Sequence, residues 1–142
     1  MLYSEKSQNI INKQKPIDKK TVARVKNALA VKGIVLEQSV EWDNYLVVKG
    51  MEAVTYNDKT IIMHTNVSAS GFYEKLIHYG QLKKKHVELG DEEEILLLEI
   101  EAQERLIKNQ RAYKITDFEI EILTKNLNWY IIQLEKLRKD GI

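Results

Sequence analysis

Apolar residues recur three and four positions apart over several stretches of the chain, and each such stretch predicts a helix with one buried face. The first stretch carries Val22, Val25 and Leu29 on one side. Asp18 precedes it and suits the N-cap, while Gly33 follows it and suits the left-handed conformation at a helix end. The pattern therefore predicts a helix between Asp18 and Gly33.

A short strand and a second helix are predicted next. Residues 34–36 form an apolar run typical of a short buried strand. Residues 39–49 predict a helix capped by its first residue, Ser39, and ended by Gly50. The apolar run at residues 45–48 would also suit a strand, so both alternatives stay open at this point.

A β-hairpin is predicted in the middle of the chain. Residues 53–56 and 60–65 are rich in residues that favour strands, and Asn57-Asp58 between them suits a tight turn. A short helix then follows, opened by either Ser68 or Ser70, whose hydroxyls are both suitable helix caps.

Two longer helices are predicted at the end of the chain, over residues 95–113 and 118–139. Each is preceded by a capping box, in which two side chains satisfy free N–H groups at the helix start. The boxes are Asp91 with Glu94, an acidic variant, and Thr116 with Glu119.

The last predicted helix carries one continuous apolar seam, because its apolar residues alternate three and four positions apart. The short connection at residues 114–115 favours packing of this seam on the preceding helix, and a coiled-coil dimer is the alternative. The seam consists of Ile120, Leu123, Leu127, Tyr130, Leu134 and Leu137.

The elements together predict an α+β fold. A small antiparallel or mixed sheet with a β-hairpin is packed by about five helices and ends in an antiparallel helix pair. Residues 1–16 are polar and aperiodic, which predicts a mobile N-terminal arm. The remaining residues, 17–142, fit a single domain, since a chain of 142 residues can bury a sizeable core.

Charge is distributed unevenly, although the net charge is only +1. Residues 1–36 carry eight Lys or Arg and two acids, whereas residues 88–104 carry eight acids and no base. The basic region contains a single aromatic residue, Tyr3, and no arginine cluster, which disfavours nucleic-acid binding. A protein or peptide partner is the expected alternative, and the oligomeric state stays open.

Composition narrows the chemistry further. There is no cysteine, so a metal would have to be held by His, Asp or Glu. The six glycines are scattered and form no phosphate-binding loop. No apolar run approaches the roughly 18 residues of a membrane span, and residues 1–16 lack the hydrophobic segment of a signal peptide. We therefore expect no membrane partner and an intracellular protein, or one delivered by another route.

One short stretch suggests metal chemistry. Residues 74–78 read Glu-Lys-Leu-Ile-His, which is the H-E-x-x-H pattern of zinc-protease helices with its first two letters changed. In that pattern two histidines one turn apart hold the metal, and the glutamate activates water. Glu74 can still bind zinc at the first ligand position. Lys75 stands at the position of the base and cannot take a proton from water while it is charged.

The polar residues of this helix share one face, since Glu74, His78 and Gln81 are spaced by four and three. One interpretation is that the face lies in solvent and Glu74 and His78 form an ordinary surface pair. The other is that the face looks into a cleft closed by the later acidic helix. In that case Glu101 or Glu104 could supply a third ligand, although both also suit surface pairs with bases four residues on.

The other two histidines lack metal-ligand spacing to His78. His64 lies in the predicted hairpin among apolar neighbours, where a histidine is usually a packed or edge residue. His86 follows three lysines and is expected to be exposed. Neither is a predicted ligand.

The order of elements resembles the minimal zincin core, in which an edge strand holds the substrate above the metal helix. More narrowly, residues 53–81 and 99–104 look like the zincin-like domains at the C-termini of phage minor head proteins and bacterial polymorphic toxins. The resemblance covers residues 20–138. It would place the protein in the cytoplasm of a bacterial host, or deliver it by a phage or toxin carrier.

Carried over residue by residue, the resemblance implies that Glu74, His78 and Glu101 would bind zinc. Lys75 departs from the pattern, so any general base would have to be Glu74 or Glu104. The resemblance therefore implies a weak metal-dependent hydrolase of a phage or mobile element, or its catalytically decayed derivative without zinc. The alternative function is a non-enzymatic interaction protein, such as a phage-encoded inhibitor that binds a host protein through its acidic helix.

Overall fold

The computed structural model describes residues 15–84 and 91–140. The predicted arm therefore lies outside the described residues except at its end, where Pro16 forms an antiparallel bridge with Ser68. His86 also lies outside them. The chain divides into two compact units, residues 1–75 and 76–142, which are described in turn.

The first unit begins with helix α1, Lys19–Val31. The carboxylate of Asp18 accepts a hydrogen bond from the backbone N–H of Lys20, as the cap prediction requires. The helix ends at Lys32, and the chain then turns at Gly33 with φ of 79°. Both predicted ends are confirmed. Free N–H groups at a helix start favour a residue such as Asp whose side chain accepts hydrogen bonds, and a left-handed turn after a helix favours Gly.

Helix α2, Val40–Lys49, settles the alternative that the sequence left open. The Ser39 hydroxyl accepts a hydrogen bond from the N–H of Trp42, and Gly50 takes the left-handed conformation at φ 68° and ψ 35°. Of the apolar run at residues 45–48, only Leu46 is buried. One buried position per turn is a helix pattern, so the strand interpretation is wrong.

Three strands form a mixed sheet, with β1 (Val35–Glu37), β2 (Ala53–Asn57) and β3 (Thr60–Met63). The order is β1-β3-β2, with β1 parallel and β2 antiparallel to β3. The predicted hairpin is confirmed. β3 ends at Met63, two residues before its predicted end at residue 65, because the chain turns there.

Helix α3, Ala69–Lys84, begins on a buried carboxylate. Oε1 of Glu52 accepts hydrogen bonds from both the N–H and the hydroxyl of Ser68, each at 3.0 Å. The Ser68 hydroxyl in turn accepts from the N–H of Gly71 at 3.0 Å. Of the two predicted caps, Ser68 therefore opens the helix. The carboxylate of Glu52 stabilises the positive end of the helix dipole.

The second unit contains the rest of α3 together with α4, Glu92–Lys108, and α5, Asp117–Asp140. Both predicted capping residues are in place: the Asp91 carboxylate accepts from the N–H of Glu94, and the Glu119 carboxylate from the N–H of Thr116. Arg138 Nε donates to Glu93 Oε1 at 2.9 Å, which joins the end of α5 to the start of α4. The two helices are therefore antiparallel, as predicted.

The apolar seam of α5 packs on α4, which confirms the intramolecular interpretation. Leu123, Tyr130 and Leu134 are buried, and the other three seam residues are half-buried. On α4 the buried partners form a stripe, and Ile95, at 40% exposure, lies outside it. The stripe consists of Leu98, Ala102 and Leu106.

Helix α4 ends at Lys108, five residues before its predicted end at residue 113. The carbonyl of Arg105 accepts from both the backbone N–H of Asn109, at 3.0 Å, and its side-chain amide, at 2.8 Å, and the chain continues beyond it in turns. The connection to α5 is therefore longer than predicted. It contains Lys114 in the left-handed region, with φ of 55°.

The described residues thus form five helices and a mixed three-stranded sheet, which is the predicted α+β fold. Over the same residues, none of the helices combines the length and the apolar character needed to cross a membrane.

Candidate metal centre

The polar face of α3 is buried. Glu74 and Gln81 are each 6% exposed, and the side chain of His78 is largely covered. The interpretation of this face as a solvent surface is therefore wrong. The spacing of residues in the sequence shows which of them share a helix face, but it does not show what that face contacts.

Both ring nitrogens of His78 have partners within the second unit. Nδ1 lies 2.8 Å from Oε1 of Gln81, on the next turn of α3. Nε2 lies 2.7 Å from Oε1 of Glu99, on α4. The imidazole is therefore fixed at both ends, which sets its orientation.

The amide of Gln81 determines where the proton on Nδ1 lies. Its NH₂ group donates to the backbone carbonyl of Leu98 at 3.1 Å and to Oε1 of Glu101 at 2.7 Å. Both of these partners are acceptors, so the amide oxygen must face His78. Nδ1 is consequently the protonated nitrogen that donates to Gln81. Nε2 is then the ring nitrogen that could offer a lone pair to a metal.

Glu99 carries a second contact through its other oxygen. The hydroxyl of Tyr130, on α5, lies 3.3 Å from Oε2 of Glu99, and both side chains are buried. A chain of polar contacts thus runs from Gln81 through His78 and Glu99 to Tyr130. It joins all three helical segments of the second unit through side chains that have little access to water.

Glu74 lies one turn before His78 on the same uninterrupted helix, and one of its carboxylate oxygens is within 4.8 Å of a ring nitrogen of His78. Within the second unit, His78 and Glu99 bring an imidazole and a carboxylate together. Zinc accepts both kinds of ligand.

Two predicted residues lie elsewhere. Glu99, and not the predicted third ligand Glu101, meets Nε2 of His78, whereas Glu101 accepts from Gln81. Glu104, a predicted base, is exposed. Two residues turn a helix by about 200°, so Glu99 and Glu101 project in different directions. The sequence signal for Glu99 was its position directly after Leu98, the first residue of the buried stripe of α4.

The side chains of the centre suit the binding of a metal better than the activation of water for hydrolysis. Lys75 occupies the position of the base and is 6% exposed, so its side chain is withdrawn into the protein. His78 has both nitrogens engaged and cannot act as a base without losing a partner. The arrangement could therefore hold a cation, but among residues 15–84 and 91–140 neither Lys75 nor His78 is available as a base beside it.

His64 has a structural environment. The backbone N–H of Asn66 donates to His64 Nδ1 at 2.9 Å, so that nitrogen is an unprotonated acceptor. Its contact with the Asp43 carboxylate is longer, at 3.8 Å, and that carboxylate accepts from the N–H of Thr65 instead. His64 therefore fixes the turn after β3, which agrees with the interpretation as a packed residue.

Comparison of the chain with models of protein families, with curated proteins and with solved structures gives no match in any of the three.

Proposed function

We propose that this chain is a zincin-like domain that has kept a divalent-metal centre and lost hydrolysis. The observation that supports the proposal is the state of the His78 ring, whose Nδ1 is held by Gln81 while Nε2 lies 2.7 Å from a carboxylate oxygen. A metal-bound histidine is typically fixed in this way, with its other ring N–H donating to a neighbouring oxygen. Within the second unit the ligands would be His78 and Glu99, and Glu74 keeps the first ligand position of the H-E-x-x-H pattern on α3.

The distance between His78 and Glu99 sets a condition on metal binding. Two ligands of a tetrahedral zinc, each about 2.0–2.2 Å from the metal, are separated by roughly 3.3–3.5 Å. Their observed separation of 2.7 Å is shorter than that. Zinc would therefore require the two side chains to move apart by several tenths of an ångström. Both are side-chain adjustments that leave the helices in place.

The loss of hydrolysis is proposed from the residues at the base position. The buried Lys75 cannot accept a proton while it is charged, and a cation beside a metal also repels it. Glu104 is exposed, and Glu74 would be used as a ligand. The domain would then use its metal for structure or for binding. Such a role would suit a mobile-element protein, as the sequence resemblance to phage and toxin domains implies.

Zinc affinity, measured by competition with a chromogenic chelator, tests this proposal. We expect one zinc ion per chain, and a dissociation constant at least tenfold higher in His78→Ala than in the parent. Glu104→Ala is the matched control, because that exposed glutamate lies on the same helix as Glu99. Equal affinities in the parent and in His78→Ala would refute a metal centre here.

A gain-of-function variant separates a decayed zincin from an unrelated metal site. Glu74→His combined with Lys75→Glu rebuilds H-E-x-x-H on α3. If the proposal is right, the double variant binds zinc at least tenfold more tightly than the parent, because two imidazoles replace one. Equal zinc affinity in the two proteins would show that the resemblance to zincins is accidental.

A non-enzymatic interaction protein is the second candidate. The observation that favours it is the run of exposed acids at residues 91–94, at the start of α4. Such a surface suits a basic partner, because opposite charges steer association. A stable complex with a host protein, formed by a chain that binds no zinc in the titration above, would support this candidate over the first.

A further inference from the structure

Helix α5 carries a second row of apolar side chains that the fold leaves exposed. Phe118, Trp129 and Ile132 are 48%, 56% and 48% exposed, and Ile122 between them is half-buried. Large apolar side chains at these exposures usually mark a contact surface when they are contiguous. Together with Lys125 and Lys136, these four side chains follow one another along α5 at spacings of four, three, four, three and four residues.

This spacing is that of a coiled-coil contact row. At 100° per residue the row projects from the side of α5 opposite to the seam that packs on α4, so the hairpin of α4 and α5 cannot cover it. We name these six positions the outer row. They are Phe118, Ile122, Lys125, Trp129, Ile132 and Lys136.

We propose that two copies of this chain associate through the outer row, with their α5 helices antiparallel about a two-fold axis near Leu127. Each outer-row residue before Leu127 has a counterpart the same number of residues after Leu127, so the row is symmetric about that position. A symmetric dimer needs such a self-complementary surface. In this pairing, Ile122 contacts the partner's Ile132. At the four remaining positions, a lysine of one copy contacts an aromatic ring of the other.

Charge decides the antiparallel direction. A parallel pair would place Lys125 against the partner's Lys125 and Lys136 against the partner's Lys136, which repel each other. The antiparallel pair places Lys125 on the partner's Trp129, and Lys136 on the partner's Phe118. A lysine over an aromatic face is an attractive contact. The lysines therefore favour one orientation of two copies over the other, and they disfavour a purely apolar partner.

The proposal is independent of the metal centre, because none of the outer-row residues belongs to the candidate ligand set. Glu99, His78 and Tyr130 lie on buried faces of their helices, whereas the outer row is exposed. Failure of zinc binding would leave the dimer proposal unaffected.

Analytical ultracentrifugation of the full chain over roughly 1–200 μM tests self-association, since a dimer forms by mass action. We expect a concentration-dependent dimer, with a dissociation constant at least tenfold higher in Trp129→Glu. Val48→Glu is the control, because Val48 is 80% exposed, is not a member of the outer row, and its substitution changes the charge by the same amount. Circular dichroism of each variant checks that its helices are retained. A chain that stays monomeric throughout, or a Val48→Glu effect equal to that of Trp129→Glu, overturns the proposal.

Cysteine cross-linking tests the orientation, and the natural chain has no cysteine to interfere. Asn128→Cys places a thiol next to the proposed axis, whereas Glu135→Cys places two thiols about 24 Å apart along the helices, at a rise of about 1.5 Å per residue. A short bismaleimide should join copies of Asn128→Cys at least tenfold faster than copies of Glu135→Cys. Equal rates would contradict the antiparallel arrangement.

Discussion

Nε2 of His78 lies 2.7 Å from Oε1 of Glu99, so a histidine on α3 and a glutamate on α4 form a close polar pair inside the second unit. The pair is fixed from both sides, by Gln81 on the histidine and by Tyr130 on the glutamate. Such a pair can hold a proton or, after separating slightly, a metal ion. Its contribution to stability and its affinity for zinc can be measured separately.

Removing Glu99 should destabilise the protein even without metal. We expect Glu99→Ala to lower the free energy of unfolding by about 2–4 kcal/mol, because it removes the buried carboxylate that contacts Nε2 of His78 and the hydroxyl of Tyr130. Glu104→Ala, on the exposed side of the same helix, should change it by less than about 0.5 kcal/mol. Urea denaturation of the metal-free proteins measures both values. Equal effects of Glu99→Ala and Glu104→Ala would mean that the pair of His78 and Glu99 makes no specific contribution to stability.

The two glycines of α3 should respond in opposite directions to the same substitution. A Cβ on Gly71 would lie 2.6 Å from Oε2 of Glu52, whereas a Cβ on Gly80 would have nothing within 4 Å. Gly71→Ala should therefore cost about 1–3 kcal/mol through displacement of the Glu52 carboxylate. Gly80→Ala should stabilise by about 0.5–1 kcal/mol, since alanine favours a helix. Thermal unfolding of both variants checks the signs, and a tolerated Gly71→Ala would contradict the close contact.

A buried and an exposed apolar residue of the α4–α5 pair should differ in their effect on stability. Leu123 is buried in the seam, so Leu123→Ala should lower the free energy of unfolding by about 2–5 kcal/mol through a cavity. Ile95→Ala should cost less than about 1 kcal/mol, because Ile95 is largely exposed. Chemical denaturation distinguishes the two. A loss below about 1 kcal/mol for Leu123→Ala would mean that the seam is not a packed interface.

Much of the fold could be predicted because its helix ends are set by local chemistry. Asp18, Ser39 and Ser68 each satisfy free N–H groups, and Gly50 supplies a left-handed turn. Such signals act within three or four residues and are visible in a sequence. The early end of α4 was missed because the apolar spacing continues past Lys108, and helix periodicity does not reveal where Asn109 caps the helix.

The centre was only partly predictable. Spacing alone placed Glu74, His78 and Gln81 on one face of a helix, and the structure has them there. The partner on α4 depends on the rotation of one helix against another, which a single sequence does not specify. Glu99 replaces Glu101 beside His78 for that reason. Its position next to the buried stripe of α4 was the available signal.

Zinc affinity should depend on pH in a defined direction. A ring nitrogen that binds zinc must be unprotonated, so zinc competes with protons for His78 and binding becomes tighter as pH rises. Between about pH 6 and pH 7 we expect the dissociation constant to fall by up to tenfold. Chelator competition at each pH measures it, with the chelator's own protonation taken into account. An affinity independent of pH would indicate that zinc binds away from this pair.

The most direct test is the ¹⁵N spectrum of the histidine rings before and after one equivalent of zinc. The chain has three histidines, and a His78→Asn variant assigns the signals of His78. We predict that Nδ1 of His78 is protonated in the metal-free protein and stays so when zinc is added, because it donates to Gln81. Nε2 should move to the position of a metal-bound nitrogen. Unchanged Nε2 and Nδ1 signals at saturating zinc, or loss of the Nδ1 proton, would contradict the proposed centre.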